Sequence, residues 1–220
     1  MSPGRRTALG LAALLLLGAG PSWAAAAKTA APAGVPADAV NGDMSLGNPK
    51  APVHVVEYAS ASCPHCAHFD EETFPAFKAK YVDTGRVYYT LKEYLTAPPE
   101  VAAASFILAR CGGKAKYFAI LGQVFRSQAQ WASGDISQIF LKIGQANGLS
   151  EAKVKACYAD QKALDALNAR VIKAVKTDKV SSTPTFDING TRVEGAVPLS
   201  DLDAAIAKAE KARPAKGGRR

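Results

Sequence analysis

The 220-residue sequence has few of the motifs that form metal sites. It contains four cysteines and three histidines, and its C-x-x-C pair, Cys63 and Cys66, is accompanied by neither a second C-x-x-C nor an H-x-x-x-H. Zinc sites usually take four protein ligands, so the pattern argues against zinc. Covalent haem attachment requires a histidine directly after the second cysteine, and Ala67 stands there instead.

The sequence also lacks an apolar run of the roughly 20 residues that a membrane-spanning helix needs. Its apolar stretch, residues 9–20, follows Arg5 and Arg6 and precedes the small residues of PSWAAAA. This order is typical of an export signal, so we expect residues 1–24 to be a signal peptide that is cleaved between residues 24 and 26. General secretion fits better than the twin-arginine route, which the arginine pair would also allow. We therefore expect the mature chain in the periplasm and not in the membrane.

The net charge of +8 is partly concentrated at the C-terminal end. We interpret residues 213–220 (RPAKGGRR) as a solvated basic tail, and residues 25–42, rich in Ala, Pro and Gly, as a flexible leader. Nucleic acid would be the usual partner of a strongly basic chain, but export argues against it.

Between these ends, strand-like and helix-like segments alternate. VHVVEYA (Val53–Ala59) and RVYYTLKEY (residues 86–94) predict strands, and the intervening segment predicts a helix kinked at Pro75. Residues 98–179 predict four or five helices, with breaks at glycines 112–113, 134 and 148. A hairpin turning at Asn189-Gly190 and a last helix capped by Ser200 complete the chain.

The C-x-x-C pair lies where a strand gives way to a helix. Pro64 suits the first helical turn, and Cys63 before it faces backbone N–H groups that have no partner within the helix. Such a position stabilises a thiolate, to which His65 could add a donor or positive charge. Cys66, one turn further, would be the resolving thiol. The alternative is a copper-binding carrier protein that uses Cys63, Cys66, His65 and His68 as ligands.

Several motifs resemble those of the DsbA family of periplasmic thiol:disulfide interchange proteins. They are VVEYASASCPHC, the helix after it, the long helical insertion, and STPTF before the Asn-Gly hairpin. The resemblance implies an α/β thioredoxin fold, a central mixed sheet flanked by helices, in residues 43–97 and 180–212. It further implies an inserted all-helical domain in residues 98–179.

The resemblance also implies roles for individual residues. Cys63 matches the family's exposed nucleophile, Cys66 its buried partner and His65 the residue that tunes the thiolate. Glu57 matches a buried acid that relays protons to the inner thiol; without the resemblance, we would interpret it as a strand residue pointing at water. Thr183-Pro184 matches the cis-proline that aligns an incoming peptide by backbone hydrogen bonding.

As partners, the resemblance implies newly exported or unfolded polypeptides and a membrane reoxidant of the DsbB type, with no bound cofactor or metal. The near alternative is a disulfide isomerase or reductase, because Thr183 before the proline is more usual in those proteins. Such isomerases oligomerise through an N-terminal region, for which the leader leaves little room, so we expect a monomer.

Cys111 and Cys157 lie 46 positions apart in the predicted helical block. Because an exported protein meets an oxidising compartment, we expect a structural disulfide between them rather than two separate buried thiols. On the chain-entropy estimate such a bond stabilises the fold by about 4 kcal/mol.

Overall fold

The computed structural model describes residues 32–212 together with Met1. The expected signal peptide beyond Met1, the leader as far as residue 31 and the basic tail therefore lie outside the described residues. None of the helices within residues 32–212 combines the length and the apolar character needed to cross a bilayer.

Five strands within residues 32–212 form one mixed sheet in the order β1-β3-β2-β4-β5. They are β1 (Met44–Leu46), β2 (Val53–Ala59), β3 (Val87–Glu93), β4 (Thr185–Ile188) and β5 (Thr191–Glu194). β2 pairs with β3 in parallel, and the other neighbours pair antiparallel. β2 lies at the centre of the sheet, and its residues other than His54 and Val56 are buried, which fits its run of β-branched residues. At the predicted hairpin, Asn189 and Gly190 both have positive φ angles, +48° and +87°.

The helix after β2 begins with α2 (Pro64–His68) and continues as a π-helical turn, Phe69–Thr73, then α3 (Phe74–Phe77) and a second π-helical turn, Lys78–Val82. The first wide turn ends two residues before Pro75. There the N–H of Phe74 bonds to the carbonyl of Phe69, five residues back. A wide turn accommodates a proline, which lacks the N–H for the regular helical ladder, so the predicted irregularity lies at the predicted place.

The helical block contains α4 (Pro99–Cys111), α5 (Tyr117–Ser127), a 3₁₀ turn (Gln128–Gln130), α6 (Ile136–Ala146), α7 (Glu151–Tyr158) and α8 (Gln161–Lys176). Three of the breaks fall at the predicted glycines, two of which, Gly113 and Gly148, have positive φ angles. The break between α7 and α8, at Ala159 and Asp160, has no glycine and was not predicted. Cys111 of α4 and Cys157 of α7 form a disulfide, with an S–S distance of 2.03 Å. The bond therefore ties together two helices of the block that are distant in sequence.

The final helix, α9 (Leu199–Ala212), buries Leu202 and Ile206 as expected. The predicted cap is wrong. The helix begins at Leu199, so Ser200 is its second residue, and the Ser200 hydroxyl bonds to the carboxylate of Asp201 at 3.3 Å.

Residues 33–42, which we expected within a flexible leader, pack against the helical block. The segment forms α1 (Ala37–Val40), and Val35 and Ala39 are buried. The Val35 N–H donates to Asp160 at 2.9 Å, and the Lys153 ammonium donates to the carbonyls of residues 33 and 34 at 2.8 and 2.5 Å. The expectation was wrong for this part because polar groups far along the chain hold the Ala/Pro/Gly-rich segment.

A buried ion network joins this segment, the sheet and the helices. The Glu93 carboxylate at the end of β3 is 1% exposed and accepts from Arg110 at 2.6 Å, from Arg170 at 2.7 Å and from the Tyr117 hydroxyl at 3.1 Å. The remaining Arg110 donors reach the carbonyls of Ala39 and Gly42, and Arg170 reaches that of Val40. Because a buried charge is costly unless it is paired, the network makes each of these segments depend on the others.

Candidate active site

The site lies where β2 ends and α2 begins, next to the loop that precedes β4. Cys63 has an extended backbone (φ −83°, ψ 120°) and occupies the N-cap position, with Pro64 at the start of the helix. Pro64 and His65 are exposed, whereas Cys66 is fully buried beneath them. The N–H groups of His65 and Cys66, in the first turn of the helix, therefore face the Cys63 side chain.

Cys63 itself is only 7% exposed, which corrects the expectation of an exposed nucleophile. The reason is its neighbour: the Cys63 thiol donates to the Thr183 carbonyl at 3.4 Å, so the loop before β4 covers much of the residue.

The surroundings of Cys63 favour its thiolate. A hydrogen bond with the Cys66 thiol is the largest influence lowering the pKa of Cys63, and the pKa falls from 9.0 to about 5 although burial opposes the change. The Thr183 side chain and the backbone N–H groups of Cys66 and His65 lower this pKa further. The Thr183 hydroxyl is buried and has no other partner among residues 32–212, so it is free to donate to the thiolate. The low pKa of Cys63 thus arises mainly from the Cys66 thiol, with smaller contributions from Thr183 and from the N–H groups that the N-cap position supplies.

Cys66 behaves in the opposite way. Burial, followed by the hydrogen bond to Cys63 and the nearby carboxyl of Glu57, raises the pKa of the Cys66 thiol far above its usual range. The Ser60 N–H contacts its sulfur at 3.4 Å. The two thiols therefore differ strongly in acidity, as a nucleophile and a resolving thiol should.

Glu57 lies beneath the pair and does not point at water. Glu57 is a buried residue of β2, only 3% exposed, and its carboxyl group accepts a hydrogen bond from the Tyr89 hydroxyl. Burial raises the pKa of Glu57 from 4.5 to about 8, against the influence of Tyr89. Burial also raises the pKa of Asp70, in the helical segment after α2, to about 6. Glu57 is thus mostly protonated at neutral pH and able to exchange a proton.

Thr183 and Pro184 are joined by a cis peptide bond and lie across from Cys63. A second cis peptide bond, Ala97–Pro98, was not expected from the sequence. It lies beside Thr96, whose N–H and hydroxyl donate to the Ser60 hydroxyl at 3.0 and 2.9 Å. Ser62 donates to the Thr96 carbonyl at 3.1 Å. These polar residues support the turn before Cys63, and no local pattern in the sequence indicated their role.

The ligand set needed by the copper alternative is not gathered at one point. His65 and His68 are exposed while Cys66 is buried, and within residues 32–212 no three His, Cys, Asp or Glu side chains lie close enough together to hold a metal ion.

A mixed sheet whose central strand leads into a helix-capping dithiol, opposite a cis-proline, defines a protein of the thioredoxin class. The thioredoxin family model matches residues 39–208, so the chain belongs to this family.

A curated relative, a Rickettsia typhi protein that carries the name of a protein-disulfide oxidoreductase, is 36% identical over 171 residues. The match covers 77% of this chain and 62% of the relative, so the chain spans about three fifths of that relative's length.

Among solved structures, the chain is similar to alpha-DsbA1 of Wolbachia pipientis, with a TM-score of 0.71 and 27% identity over 77% of this chain and 91% of that one. A protein-disulfide isomerase of Novosphingobium aromaticivorans shares the fold, with a TM-score of 0.68 and 24% identity over 77% and 98% of the two chains. The resemblance to DsbA proteins and the thioredoxin fold expected from the sequence are confirmed.

Proposed function

We propose that the protein is a thiol:disulfide oxidoreductase that donates the Cys63–Cys66 disulfide to other polypeptides. The observation that carries the proposal is the placement of the Cys63 sulfur at the N-terminus of α2, within reach of the Cys66 thiol and facing the N–H groups of His65 and Cys66. This placement favours the Cys63 thiolate, and a stabilised thiolate makes the disulfide a stronger oxidant.

In the proposed reaction, a thiolate of the partner attacks the Cys63 sulfur and breaks the bond to Cys66. A mixed disulfide forms and Cys66 leaves as a thiolate, which takes up a proton because its pKa is raised. A second thiolate of the partner then attacks the partner sulfur that is bonded to Cys63. A disulfide forms within the partner, and Cys63 leaves as a thiolate. Two electrons pass from the partner dithiol to Cys63 and Cys66, and the partner gains a disulfide.

Glu57 is the proposed proton donor to Cys66. At neutral pH the Glu57 carboxyl is mostly protonated, and it lies close enough to Cys66 to influence the pKa of that thiol. In the reverse direction the same carboxyl accepts the proton when Cys66 attacks a mixed disulfide. Thr183 and Pro184 lie opposite Cys63, and we assign them to alignment of the partner's backbone.

The proposed setting is the periplasm, reached through the expected signal peptide, with newly exported polypeptides as partners and a DsbB-type membrane protein as reoxidant. We further propose a monomer, with residues 98–179 as a helical domain inserted between residues 43–97 and 180–212. Thr183 supports the second candidate, an isomerase or reductase whose dithiol is kept reduced. A stable dimer or trimer in sedimentation would support that candidate.

The test is a redox titration against glutathione, with the thiolate of Cys63 followed by its ultraviolet absorbance and exchange followed by oxidation of a reduced, unfolded protein. We expect a Cys63 thiolate that persists down to about pH 5, and disulfide transfer that Cys63→Ser abolishes. Cys66→Ser should accumulate mixed disulfides. A Cys63 pKa near 9 together with absence of exchange would refute the proposed function.

A further inference from the structure

Gln128 reaches from the helical block to the turn that carries Cys63. Its side-chain amide N–H group donates to the carbonyl of Ala61 at 2.8 Å and to the carbonyl of Cys63 at 3.3 Å. Ala61 is fully buried, and Gln128 is partly buried. One amide thus bridges the carbonyl groups of Ala61 and Cys63.

The position of Gln128 is itself fixed. It begins the 3₁₀ turn at the end of α5, a helix that packs against α2. Ser127 donates to the Val124 carbonyl at 2.7 Å and accepts from the Trp131 indole at 2.9 Å, so side chains on both sides hold this turn. The Gln128 amide is therefore presented to the active-site turn by a turn that has hydrogen bonds of its own.

A hydrogen bond to the Cys63 carbonyl acts on the backbone that sets the position of the Cys63 sulfur. This carbonyl already accepts the first helical bonds, from the N–H groups of Cys66 and Ala67, both at 3.1 Å. The extended N-cap backbone of Cys63 directs its side chain toward the N–H groups of His65 and Cys66. A rotation of the turn would move the sulfur away from these donors. The remaining polar supports of the turn, Ser60 and Ser62 with Thr96, hold the residues before Cys63 and not its own carbonyl.

We propose that Gln128 is a positioning residue for the reactive thiol: its amide holds residues 61–63 so that the Cys63 sulfur stays over the first N–H groups of α2. The inference rests on the proposed function, and it gives the helical block a part in setting the reactivity of Cys63. Removal of the amide should favour the protonated thiol and weaken the protein as an oxidant.

The experiment compares Gln128→Leu with Gln130→Leu in the full chain. Gln130 lies on the same 3₁₀ turn, is exposed and makes no side-chain hydrogen bond within residues 32–212, so it is a matched control. The pKa of Cys63 is read from thiolate absorbance, and the equilibrium constant with glutathione from the fraction oxidised. Loss of the Gln128 amide's hydrogen bonds to the Ala61 and Cys63 carbonyls should raise this pKa by about half a unit to one unit and shift the equilibrium constant about three- to tenfold toward the disulfide.

Gln128→Asn provides a second variant, because it keeps the amide but shortens its reach and should shift both quantities by less than Gln128→Leu. If the melting temperature falls while the pKa and the equilibrium constant match those of Gln130→Leu, Gln128 has a structural role only and the inference is wrong. The wild-type protein in the same assay reports separately on the proposed function, since its activity does not depend on the outcome for Gln128.

Discussion

The low pKa of Cys63 predicts that the stability of the reduced protein depends on pH. The folded pKa is about 5, and the ordinary value expected for the unfolded chain is 9.0. Between these values the unfolded chain binds more protons at Cys63 than the folded chain does. The folded reduced protein should therefore gain stability as the pH rises from 5 to 9, and this contribution should be lost as the pH falls through 5.

The magnitude follows from the distance between the pH and the folded pKa. Neutral pH lies two units above the folded value. At about 1.4 kcal/mol per unit, the Cys63 thiolate should contribute about 3 kcal/mol to the free energy of unfolding at pH 7. The oxidised protein should lack this contribution, because a disulfide sulfur does not titrate.

The assay is urea unfolding of the reduced wild-type protein and of Cys63→Ser, each at several pH values from 5 to 9. Both proteins receive the same reductant, so any change at the Cys111–Cys157 bond is common to them. Glu57 has the opposite effect on stability, which it lowers as the pH rises, but it is present in both proteins. The difference in unfolding free energy should increase with pH, and a difference that stays constant over this range would refute the reasoning about the thiolate.

Three further changes should have distinct effects. Arg110→Met leaves the buried Glu93 carboxylate short of a partner and should lower the free energy of unfolding by about 3–5 kcal/mol in urea titrations. Replacing Cys111 and Cys157 by alanine should cost up to about 4 kcal/mol, measured in the same way, and leave disulfide transfer intact. Glu57 should make the wild-type protein less stable as the pH rises from 4.5 through about 8, and Glu57→Gln should abolish this pH dependence. Urea unfolding of the oxidised protein at several pH values measures both.

Each of these changes has a control or a contrary outcome. Lys155→Met removes an exposed ion pair with Glu151 and should cost at most about 0.5 kcal/mol, so an equal effect of Arg110→Met would argue against the buried network. A double alanine variant as stable as the wild type would show that the disulfide does not constrain the unfolded chain. If Glu57→Gln keeps the wild-type pH dependence, another group is responsible for it.

Local patterns predicted the elements that local physics determines. β2 followed from its β-branched run, the hairpin from Asn189-Gly190, and three of the breaks between the block's helices from their glycines. The disulfide between Cys111 and Cys157 followed from the expectation of export, because an oxidising compartment favours pairing of the two thiols outside the C-x-x-C motif. Each of these predictions needed only a few neighbouring residues or the redox state of the expected compartment.

The features that sequence reasoning missed depend on contacts between distant residues. α1 is held by arginines more than 60 positions away, and Gln128 meets Ala61 across 67 positions. The depth of Cys63 is set by Thr183, which is 120 positions further along. The environment of Glu57 could be predicted only by knowing that Tyr89 lies on the neighbouring strand. No local periodicity encodes such pairings.

The anchoring of residues 33–42 sets a limit on how the protein can be shortened for laboratory work. A fragment starting at residue 43 would discard the carbonyl groups of Ala39, Val40 and Gly42, which receive the guanidinium groups of Arg110 and Arg170. Those donors would then face the interior without acceptors. A purification tag or fusion partner therefore belongs upstream of residue 33, where its removal by a protease leaves every one of these acceptors in place.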